Sequence, residues 1–481
     1  MNVLIFLLSE GSFLAIGPSG FLPESADILS WAGDICVLRV SSADTQGLFV
    51  LEEYDPPYYW ARVLKQGGLE DIQSAGRTLC QTEKDVLFRL EKPEALHTGR
   101  VMIKRLPEVP VDINHGYPEK GSNGYNPLIA NMVAAVDSLR YLGFVDTLQG
   151  FITRNSHHSQ CGAAANYAKT YLEFLGLDTV YLQTYSGSYA PNVIGIKYGN
   201  ESDSVVIICG HLDATAGWPY YPEPVAPGAD DNGSGSAVVL EAATVMAGYD
   251  FRREIRFILF TGEEQGLVGS GDYAYQHRFD SIVGVLNFDM VGYSNNNPES
   301  IDIIGDNNST WLVDSMISCM GTYVGSWPYY RLIDGSFWYS DHGSFWDRGK
   351  YALCVIEDHD VVNPYYHSQG DTIGAGFEDL KLAWTCAKMG VATLAALAEP
   401  IGSSVGEKAS ANCDISLLMG KTIFTLLVPG NAIATLYDVS GRVLETRQFN
   451  RETSFSPGPG VYFVGVRVGK ETEFLKAAVA R

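Results

Sequence analysis

Apolar positions follow two different periods in the middle of the chain. After about residue 126 they recur at helical spacing, with Leu128, Met132 and Leu139 on one face of a predicted helix. Further along, the run from Val205 to Cys209 is apolar at every position, which is typical of a strand buried on both faces of a sheet. Helical and strand patterns alternate up to about residue 290, which predicts an α/β domain whose central sheet is covered by helices on both sides.

The predicted elements of this region bring polar residues to the ends of strands. Helices are predicted from Gly162 to Leu175, Ser236 to Met246 and Gly266 to His277. Strands are predicted from Val180 to Thr184, Asn192 to Tyr198, Val205 to Cys209, Ile255 to Phe260 and Ile282 to Phe288. Ligands of such sheets bind beyond the carboxyl ends of the strands. The polar motifs between His211 and Asp289 are therefore candidates for a functional site.

Two flanking regions have shorter patterns. Residues 1–110 predict a small α+β accessory domain with a helix between Gly68 and Leu79, followed by a linker from Asn114 to Pro127. Residues 111–400 form the predicted α/β domain, and residues 405–481 predict a β-sandwich. The strands predicted for this last region are Thr422 to Val428, Ala432 to Tyr437, Arg442 to Arg447, Val461 to Val468 and Glu473 to Val479, with a turn at Gly430-Asn431 between the first two.

Composition narrows the possible classes of protein. The net charge of -23 argues against nucleic acid as a partner, because phosphate binding relies on clustered Lys and Arg. No apolar run reaches the roughly 18 to 20 residues that cross a bilayer, so we expect no transmembrane helix. Residues 1–18 begin like a signal peptide, but Glu10 interrupts them and no basic residue precedes Arg39, so a strand is the alternative. Eight cysteines without a Cys-x-x-Cys pair argue against a zinc knuckle, and Cys209 and Cys354 are expected to be buried thiols.

The first candidate motifs lie around residues 210–235. His211 and Asp213 follow a buried strand, so His211 could bind a metal while Asp213 orients its imidazole. Pro227 to Gly235 is a glycine-rich turn before a predicted helix, and its Asp231 has two carboxylate oxygens that could bridge two cations. A calcium loop is an alternative, although the spacing of an EF-hand is absent.

The remaining candidates lie between residues 263 and 367. Glu263 and Glu264 close a strand, and burying both is costly unless a cation neutralises one of them, so one could bind metal and the other act as general base. Asp289 ends another strand, and His367 lies in a polar loop. Two histidines and three carboxylates suit zinc, and two zinc ions that share one carboxylate are an established hydrolytic arrangement; cobalt or manganese remain alternatives.

Six motifs in order resemble the co-catalytic zinc aminopeptidases of the aminopeptidase Y and bacterial leucyl aminopeptidase type, over residues 125–400. They are Gly210 to Asp213, Pro227 to Gly235, Thr261 to Ser270, Asn287 to Asp289, Ser340 to His342, and Tyr366-His367 with Asp371-Thr372. The resemblance implies the three-layer fold of zinc exopeptidases, with a mixed central sheet and two Zn²⁺ per chain.

The resemblance also implies a role for each residue. The ligands would be His211, Asp231, Glu264, Asp289 and His367, with Asp231 bridging. Glu263 would be the general base, Asp213 would orient His211, and Tyr366 would donate a hydrogen bond to the oxyanion. A cis peptide is implied between Asp231 and Asn232. The substrates would be peptides that lose N-terminal residues.

Two groups of aromatic residues could border this site as an apolar pocket for the released residue. They are Trp218, Tyr220 and Tyr221 in one loop, and Trp327, Tyr329, Tyr330, Phe337, Trp338 and Tyr339 in another. Within enzymes, the alternatives are a carboxypeptidase, a dipeptidase or a glutaminyl cyclase relative; the cyclase is disfavoured because the ligand set is complete. A catalytically silent binding module of the same fold is the alternative outside enzymes.

The tail carries a second resemblance. Thr435 to Val443, Gly458 to Val464 and the basic residues Lys476 and Arg481 resemble the C-terminal sorting domain of type IX secretion. This implies an exported bacterial protein, secreted or held at the cell surface, that contacts secretion machinery through its tail. A small immunoglobulin-like accessory domain is the alternative.

Overall fold

A computed structural model gives the fold of the chain. It describes residues 12–18, 26–32, 35–41, 48–82, 84–106, 124–201, 203–295, 299–359, 362–402, 416–419, 424–438, 443–455, 460–468 and 471–479. The predicted linker from Asn114 to Pro127 lies largely outside these residues, as does the first part of the predicted signal segment, whereas Ser12–Pro18 forms a strand.

Two antiparallel sheets of four strands each form the N-terminal part. The first has the order β2-β3-β1-β4 and contains β1 (Ser12–Pro18), β2 (Asp27–Ala32), β3 (Ile35–Ser41) and β4 (Phe49–Glu53). The second has the order β6-β7-β5-β8 and contains β5 (Tyr59–Val63), β6 (Gly76–Gln81), β7 (Asp85–Leu90) and β8 (Val101–Arg105). Helix α1 (Gly68–Ala75) ends earlier than the predicted Leu79, because residues 76–81 pair with β7 instead.

The second sheet, which we call the accessory sheet, has two different apolar faces because side chains alternate along each strand. Tyr59 and Ile103 pack with Ile72 of α1 in one buried cluster. Trp60 and Leu87 instead belong to a cluster shared with the central sheet, and Met102 packs against that cluster. The accessory sheet therefore packs against the α/β region through one of its faces.

The middle region contains the predicted α/β domain. Its helices are α2 (Pro127–Ala134), α3 (Ser138–Gln149), α4 (Ser159–Phe174), α5 (Gly233–Met246), α6 (Val268–Gln276), α7 (Thr310–Cys319), α8 (His342–Trp346) and α9 (Leu380–Ala398). Its strands are β9 (Thr179–Gln183), β10 (Asn192–Lys197), β11 (Val205–His211), β12 (Asp250–Phe251), β13 (Glu254–Phe260), β14 (Ile282–Phe288), β15 (Ile301–Gly305), β16 (Tyr329–Ile333), β17 (Ala352–Ile356) and β18 (Pro400–Ile401).

Eight of these strands form the central sheet, in the order β16-β15-β17-β14-β11-β13-β10-β9. The sheet is mixed, since β11 is parallel to β13 and β14 whereas β10 is antiparallel to β13. All seven residues of β11 are buried. Helices α5 and α9 pack against β11, and α8 packs against β14 and β17 with α6 beside it. Ile207 and Cys209 share a cluster with Phe345 of α8, so helices cover both faces and the predicted fold class is confirmed.

Helix α9 is the only helix among the described residues that is long and apolar enough by itself to cross a membrane. A second span would arise only if the bent pair α2 and α3 counted as one. Within the protein, 72% of the apolar window of α9 is buried. This is weak evidence for a membrane segment, because core helices have the same character.

Residues 402–481 belong to a compact unit of their own together with residues 166–174. Its antiparallel sheet contains β19 (Ser416–Met419), β20 (Phe424–Asp438), β21 (Val443–Phe455), β22 (Gly460–Val468) and β23 (Glu471–Val479). The prediction of two strands with a turn at Gly430-Asn431 was wrong. The chain runs through as the single strand β20, and the pairing with β21 shifts register between Leu427 and Asn431.

All seven cysteines among the described residues are free thiols. Cys209 and Cys354 are both buried, as predicted, and burial raises the pKa of each thiol well above its ordinary value.

Candidate metal centre

Three strand ends carry candidate residues to one edge of the central sheet. His211 is the last residue of β11 and pairs with Phe260, the last residue of the parallel strand β13. Glu263 and Glu264 follow β13 after a two-residue turn, and Asp289 follows β14 directly. Because the carboxyl ends of parallel neighbours lie at the same edge, the candidate side chains of these strands converge.

Asp231 is held in the turn before α5. The Asn232 side chain caps the helix, since its Oδ1 accepts a hydrogen bond from Gly235 N at 2.7 Å and its Nδ2 donates to Phe288 O at 2.9 Å. The Asp371 carboxylate accepts from the backbone N–H of Asp231 at 2.9 Å. The peptide between Asp231 and Asn232 is cis, which confirms that prediction.

Gly228 makes this turn possible. Its φ is +54°, and a Cβ atom there would lie 2.4 Å from the carbonyl oxygen of Asp231. No larger residue fits without moving the backbone that carries the Asp231 carboxylate.

The five predicted ligands form two groups that share Asp231. In the first, which we call the His211 half, His211 Nε2 lies 3.2 Å from Asp231 Oδ1 and 3.2 Å from Asp289 Oδ1. In the second, the His367 half, His367 Nε2 lies 3.2 Å from Asp231 Oδ2 and 2.9 Å from Glu264 Oε2. Each half offers one imidazole and two carboxylates, and Asp231 gives one oxygen to each. This donor set fits two divalent cations.

Hydrogen bonds to carbonyl oxygens orient both imidazoles. His211 Nδ1 lies 3.1 Å from the backbone oxygen of Asp213, and His367 Nδ1 lies 3.0 Å from that of Thr98. A carbonyl oxygen can only accept, so each Nδ1 carries the proton and each Nε2 faces the carboxylates. This is the tautomer that a metal ligand needs.

The charges of the site also fit a cation. Asp231 Oδ2 and Glu264 Oε1 are buried and accept no hydrogen bond from the described residues. Burial raises the pKa of Glu264 to about 7, and burial together with the neighbouring carboxylates raises the pKa of Glu263 well above its ordinary value. Burial lowers the pKa of His367, but Glu264 and Asp231 outweigh it and bring that pKa to about 10. A bound cation would neutralise the carboxylates and take the place of these protons.

The other three predicted residues also lie at this site. Glu263 belongs to the His211 half, because one of its oxygens lies within 4.8 Å of donor atoms of His211 and Asp289. The ring of Tyr366 stacks on that of His367, with 3.7 Å between the centroids. The roles of Glu263 and Tyr366 stay predictions.

Asp213 contacts His211 mainly through its backbone. Its carboxylate lies 3.7 Å from His211 Nδ1, farther than its own carbonyl oxygen. The carboxylate instead accepts from the N–H groups of Glu263 at 3.3 Å and Glu264 at 3.4 Å. Asp213 therefore also holds the turn that presents both glutamates.

Sequence reasoning missed three residues that shape the site. Arg154 is completely buried and donates from Nε to Leu212 O and from Nη2 to Gly228 O, at 2.7 Å each, which joins two of the motif loops. Asp371 was part of a motif but had no assigned role, and Thr98 lies in a region without a chemical motif. Arg154 and Asp371 contact backbone atoms, and Thr98 contacts His367 through its own backbone oxygen. Such contacts leave no residue pattern in the sequence; only the motif around Asp371 signalled a function.

The cavity at the site is apolar on one side. Met102 and Ile103 of β8 line it, together with Phe337, Tyr339 and Ile356. Of the predicted aromatic residues, only Phe337 and Tyr339 line this cavity among the described residues. About 30 Å³ is open to the centres of water-sized molecules, which is room for roughly two waters. A substrate side chain can enter only if the lining side chains move.

The central part of the chain is similar to known proteins. Residues 192–393 match the model of peptidase family M28. The chain is 35% identical over 196 residues to a probable leucine aminopeptidase of Arthroderma benhamiae, covering 38% of this chain and 51% of that protein. It is 30% identical over 206 residues to aminopeptidase YwaD of Bacillus subtilis, covering 40% of this chain and 42% of that protein. The chain thus spans about half the length, or less, of these curated relatives.

Two solved structures from Legionella pneumophila share the fold. LapB has a TM-score of 0.58 at 19% identity, covering 72% of this chain and 100% of that chain. The LapA aminopeptidase has a TM-score of 0.53 at 18% identity, covering 81% and 99%. These likenesses support the mixed-sheet α/β fold and nothing finer.

Proposed function

We propose that the chain is a zinc-dependent aminopeptidase of peptidase family M28, whose model matches residues 192–393, and that it removes N-terminal residues from peptides with the help of two Zn²⁺ ions. The observation that carries the proposal is the sharing of Asp231. Its two oxygens each lie 3.2 Å from a different histidine, so one carboxylate serves two ligand groups. Glu263 is left beside the His211 half as a carboxylate without an assigned ligand role. The names of the curated relatives support the same activity.

Different residues of the chain hold the metal ions and transfer the proton during peptide hydrolysis. His211 and Asp289 would hold one zinc, His367 and Glu264 the other, and Asp231 both; the bound ions would supply Lewis acidity and a lowered pKa for water. Glu263 takes the proton of the attacking water and passes it to the leaving amine. A buried carboxylate suits this transfer, because it can hold the proton between the two steps.

Substrate recognition follows from the lining of the cavity. Tyr366 is positioned beside His367 to donate a hydrogen bond to the oxyanion that forms on the scissile carbonyl. Met102, Phe337 and Ile356 form an apolar wall, so the released residue is apolar. Of these lining side chains, Met102 has the most rotatable bonds and is best able to yield to a substrate.

Hydrolysis of free and N-acetylated peptides, with and without a chelator, tests the proposal. An aminopeptidase loses cleavage on acetylation and on chelation. Undiminished cleavage of the acetylated peptides would identify an endopeptidase or a carboxypeptidase instead. Release of the C-terminal residue, or cleavage of dipeptides alone, would favour the carboxypeptidase or dipeptidase alternative. No turnover by the zinc-loaded chain would indicate a silent binding module.

We propose further that the chain is exported to the cell surface or beyond by contact of its tail with secretion machinery. The support is the motif from Thr435 to Val443, whose residues extend from β20 to β21. Deleting residues 402–481 in the producing bacterium should leave the protein inside the cell. Unchanged export of the shortened chain would contradict the proposal.

A further inference from the structure

The metal centre depends on a residue outside the matched domain. Thr98 lies between the accessory sheet strands β7 and β8, whereas the family match begins at residue 192. Its carbonyl oxygen accepts from His367 Nδ1 at 3.0 Å, across 269 positions of the chain. It also accepts from Val101 N at 3.2 Å, so the oxygen sits in a tight turn at the start of β8. The His367 half thus takes the orientation of its imidazole from the accessory sheet.

A second loop holds Thr98 in place. The backbone N–H of Thr98 donates to Gly217 O at 2.9 Å. Gly217 has φ of +106°, and a Cβ atom there would lie 2.6 Å from His97 Nε2. The ring of Trp218 meets the ring of His97 edge-on at 4.9 Å between centroids. The loop around Gly217 and the turn at Thr98 therefore pack closely against each other. A shift of one requires a shift of the other.

One buried carboxylate organises this loop. Glu223 is 4% exposed and accepts from the Thr215 hydroxyl at 2.7 Å, from Ala216 N at 3.0 Å and from Trp218 N at 2.9 Å. Asn155 Nδ2 donates to it as well, at 3.1 Å. These four donors surround the carboxylate, and they lie on both sides of Gly217. Glu223 therefore fixes the direction in which the Gly217 carbonyl points.

We propose that Glu223 is a positioning residue for the metal centre. Its hydrogen bonds fix the loop around Gly217, whose carbonyl oxygen accepts from Thr98 N. The Thr98 carbonyl oxygen in turn accepts from His367 Nδ1, so that His367 Nε2 faces the carboxylates. The inference rests on the two-metal site of the proposed function, but it concerns only the His367 half. The His211 half takes its carbonyl from Asp213, which lies two residues before Thr215 and makes no hydrogen bond with Glu223 among the described residues. Disturbing Glu223 should therefore weaken one metal site and spare the other.

The test is the metal affinity of each site in the full-length Glu223→Gln variant. Its amide replaces one carboxylate oxygen by an NH₂ group that faces N–H donors, so the loop must rearrange. Zinc bound per chain is measured against a graded series of chelator buffers, and cobalt spectra report the geometry of each site. We expect one zinc to bind about 10- to 100-fold more weakly while the other is unchanged, the range usual for lost outer contacts of metal ligands.

Glu241→Gln is the matched control. Glu241 is also a completely buried glutamate, and it accepts from Asp137 N at 2.7 Å and from Arg140 at 2.6 Å. It has no contact with the Thr98 turn, so its variant should keep both zinc ions even if it melts at a lower temperature. Equal weakening of both sites in Glu223→Gln, or full retention of both, would overturn the proposal.

Thr215→Val provides a milder variant in case Glu223→Gln does not fold. It replaces the hydroxyl that donates to Glu223 and accepts from Gly217 N at 3.1 Å, with little change in volume. The same site should weaken by a smaller factor, and unchanged binding would count against the proposal. Metal binding is read without a substrate, so a chain that binds two zinc ions yet cleaves no peptide would refute only the proposed function. A wild-type chain that binds fewer than two would refute this inference.

Discussion

The His211 half and the His367 half offer the same kinds of ligand atoms but are assembled over different distances in the chain. The His211 half takes its orienting carbonyl from Asp213, two residues along the chain, and its unshared ligands His211 and Asp289 lie at the ends of adjoining strands. The His367 half takes its carbonyl from the accessory sheet, 269 residues away. The comparison shows that two sites with the same kinds of ligand can be oriented by contacts that lie at very different distances along the chain. The following experiments separate the two halves.

Asp231→Asn should have the largest effect, because Asp231 is the one ligand that both halves share. The amide cannot give a charged oxygen to each histidine, so we expect both zinc ions to be lost and hydrolysis to fall by more than about 1,000-fold. Zinc analysis of the purified variant checks this. Retention of both ions would show that the halves do not depend on a common ligand.

Glu263→Gln and Glu264→Gln should separate chemistry from metal binding. We expect Glu263→Gln to keep both zinc ions but to lose about 100-fold or more of kcat, since the general base is gone. Glu264→Gln should instead lose zinc from the His367 half. Comparing zinc content with kcat for the two variants checks the assignment; a Glu263→Gln variant within about twofold of wild-type activity would contradict it.

Zinc binding should release protons from both halves. In the metal-free chain the carboxylates bring the pKa of His367 to about 10 and raise that of His211 as well, against an unfolded value of about 6.5. We expect about two protons to leave the histidines at pH 7, and further protons to leave Glu263 and Glu264, so zinc affinity should rise with pH. Calorimetry in buffers of different ionisation enthalpy measures the number. Binding without proton release would contradict the protonated histidines.

The stability of the metal-free chain should fall as the pH rises, whereas its zinc affinity should rise. A histidine with a raised folded pKa stabilises the fold fully below about pH 6.5, and this contribution is lost as the pH rises through about 10. We therefore expect the unfolding midpoint of the zinc-free chain to fall between pH 7 and pH 10. Urea titrations at several pH values check this, and a flat profile would speak against it.

Met102→Ala should have the smallest effect and should leave both metal sites intact. Removing this side chain from β8 enlarges the apolar wall of the cavity, so kcat/KM for substrates with large N-terminal residues should improve relative to alanine by up to about tenfold. Leu87→Ala is the control, because Leu87 packs in the same buried cluster but does not line the cavity. An equal change of preference in both variants would show a general loosening instead.

The sequence was informative where function follows from side chains at strand ends. His211, Asp231 and Asp289 could be predicted to meet, because apolar runs and turns mark the ends of neighbouring strands. The cis peptide after Asp231 also followed from the resemblance. In the tail, Gly430 looked like a turn residue, yet the hydrogen bonds of β20 and β21 continue on both sides of it.

The contacts that position the ligands of the site could not be predicted from the sequence. Arg154 and Glu223 bind backbone groups, and Thr98 binds His367 through its own backbone carbonyl. Backbone groups have the same chemistry in every residue. Nothing in the local sequence distinguishes Arg154 from an exposed arginine. Only the three-dimensional arrangement shows that it is completely buried among carbonyl oxygens.

The hydrogen bond between Thr98 and His367 also implies an order in which the two halves form during synthesis. A ribosome has produced every residue of the accessory sheet well before His367 exists, and the ligands of the His211 half are all present once the chain reaches Asp289. The His211 half therefore has its ligands on the nascent chain before Asp371 arrives to hold the Asp231 backbone, while the His367 half closes only after synthesis has passed residue 367. The last hydrogen bond of the centre joins an early part of the polypeptide to a late one, so a zinc ion in the His367 half marks a completed α/β domain.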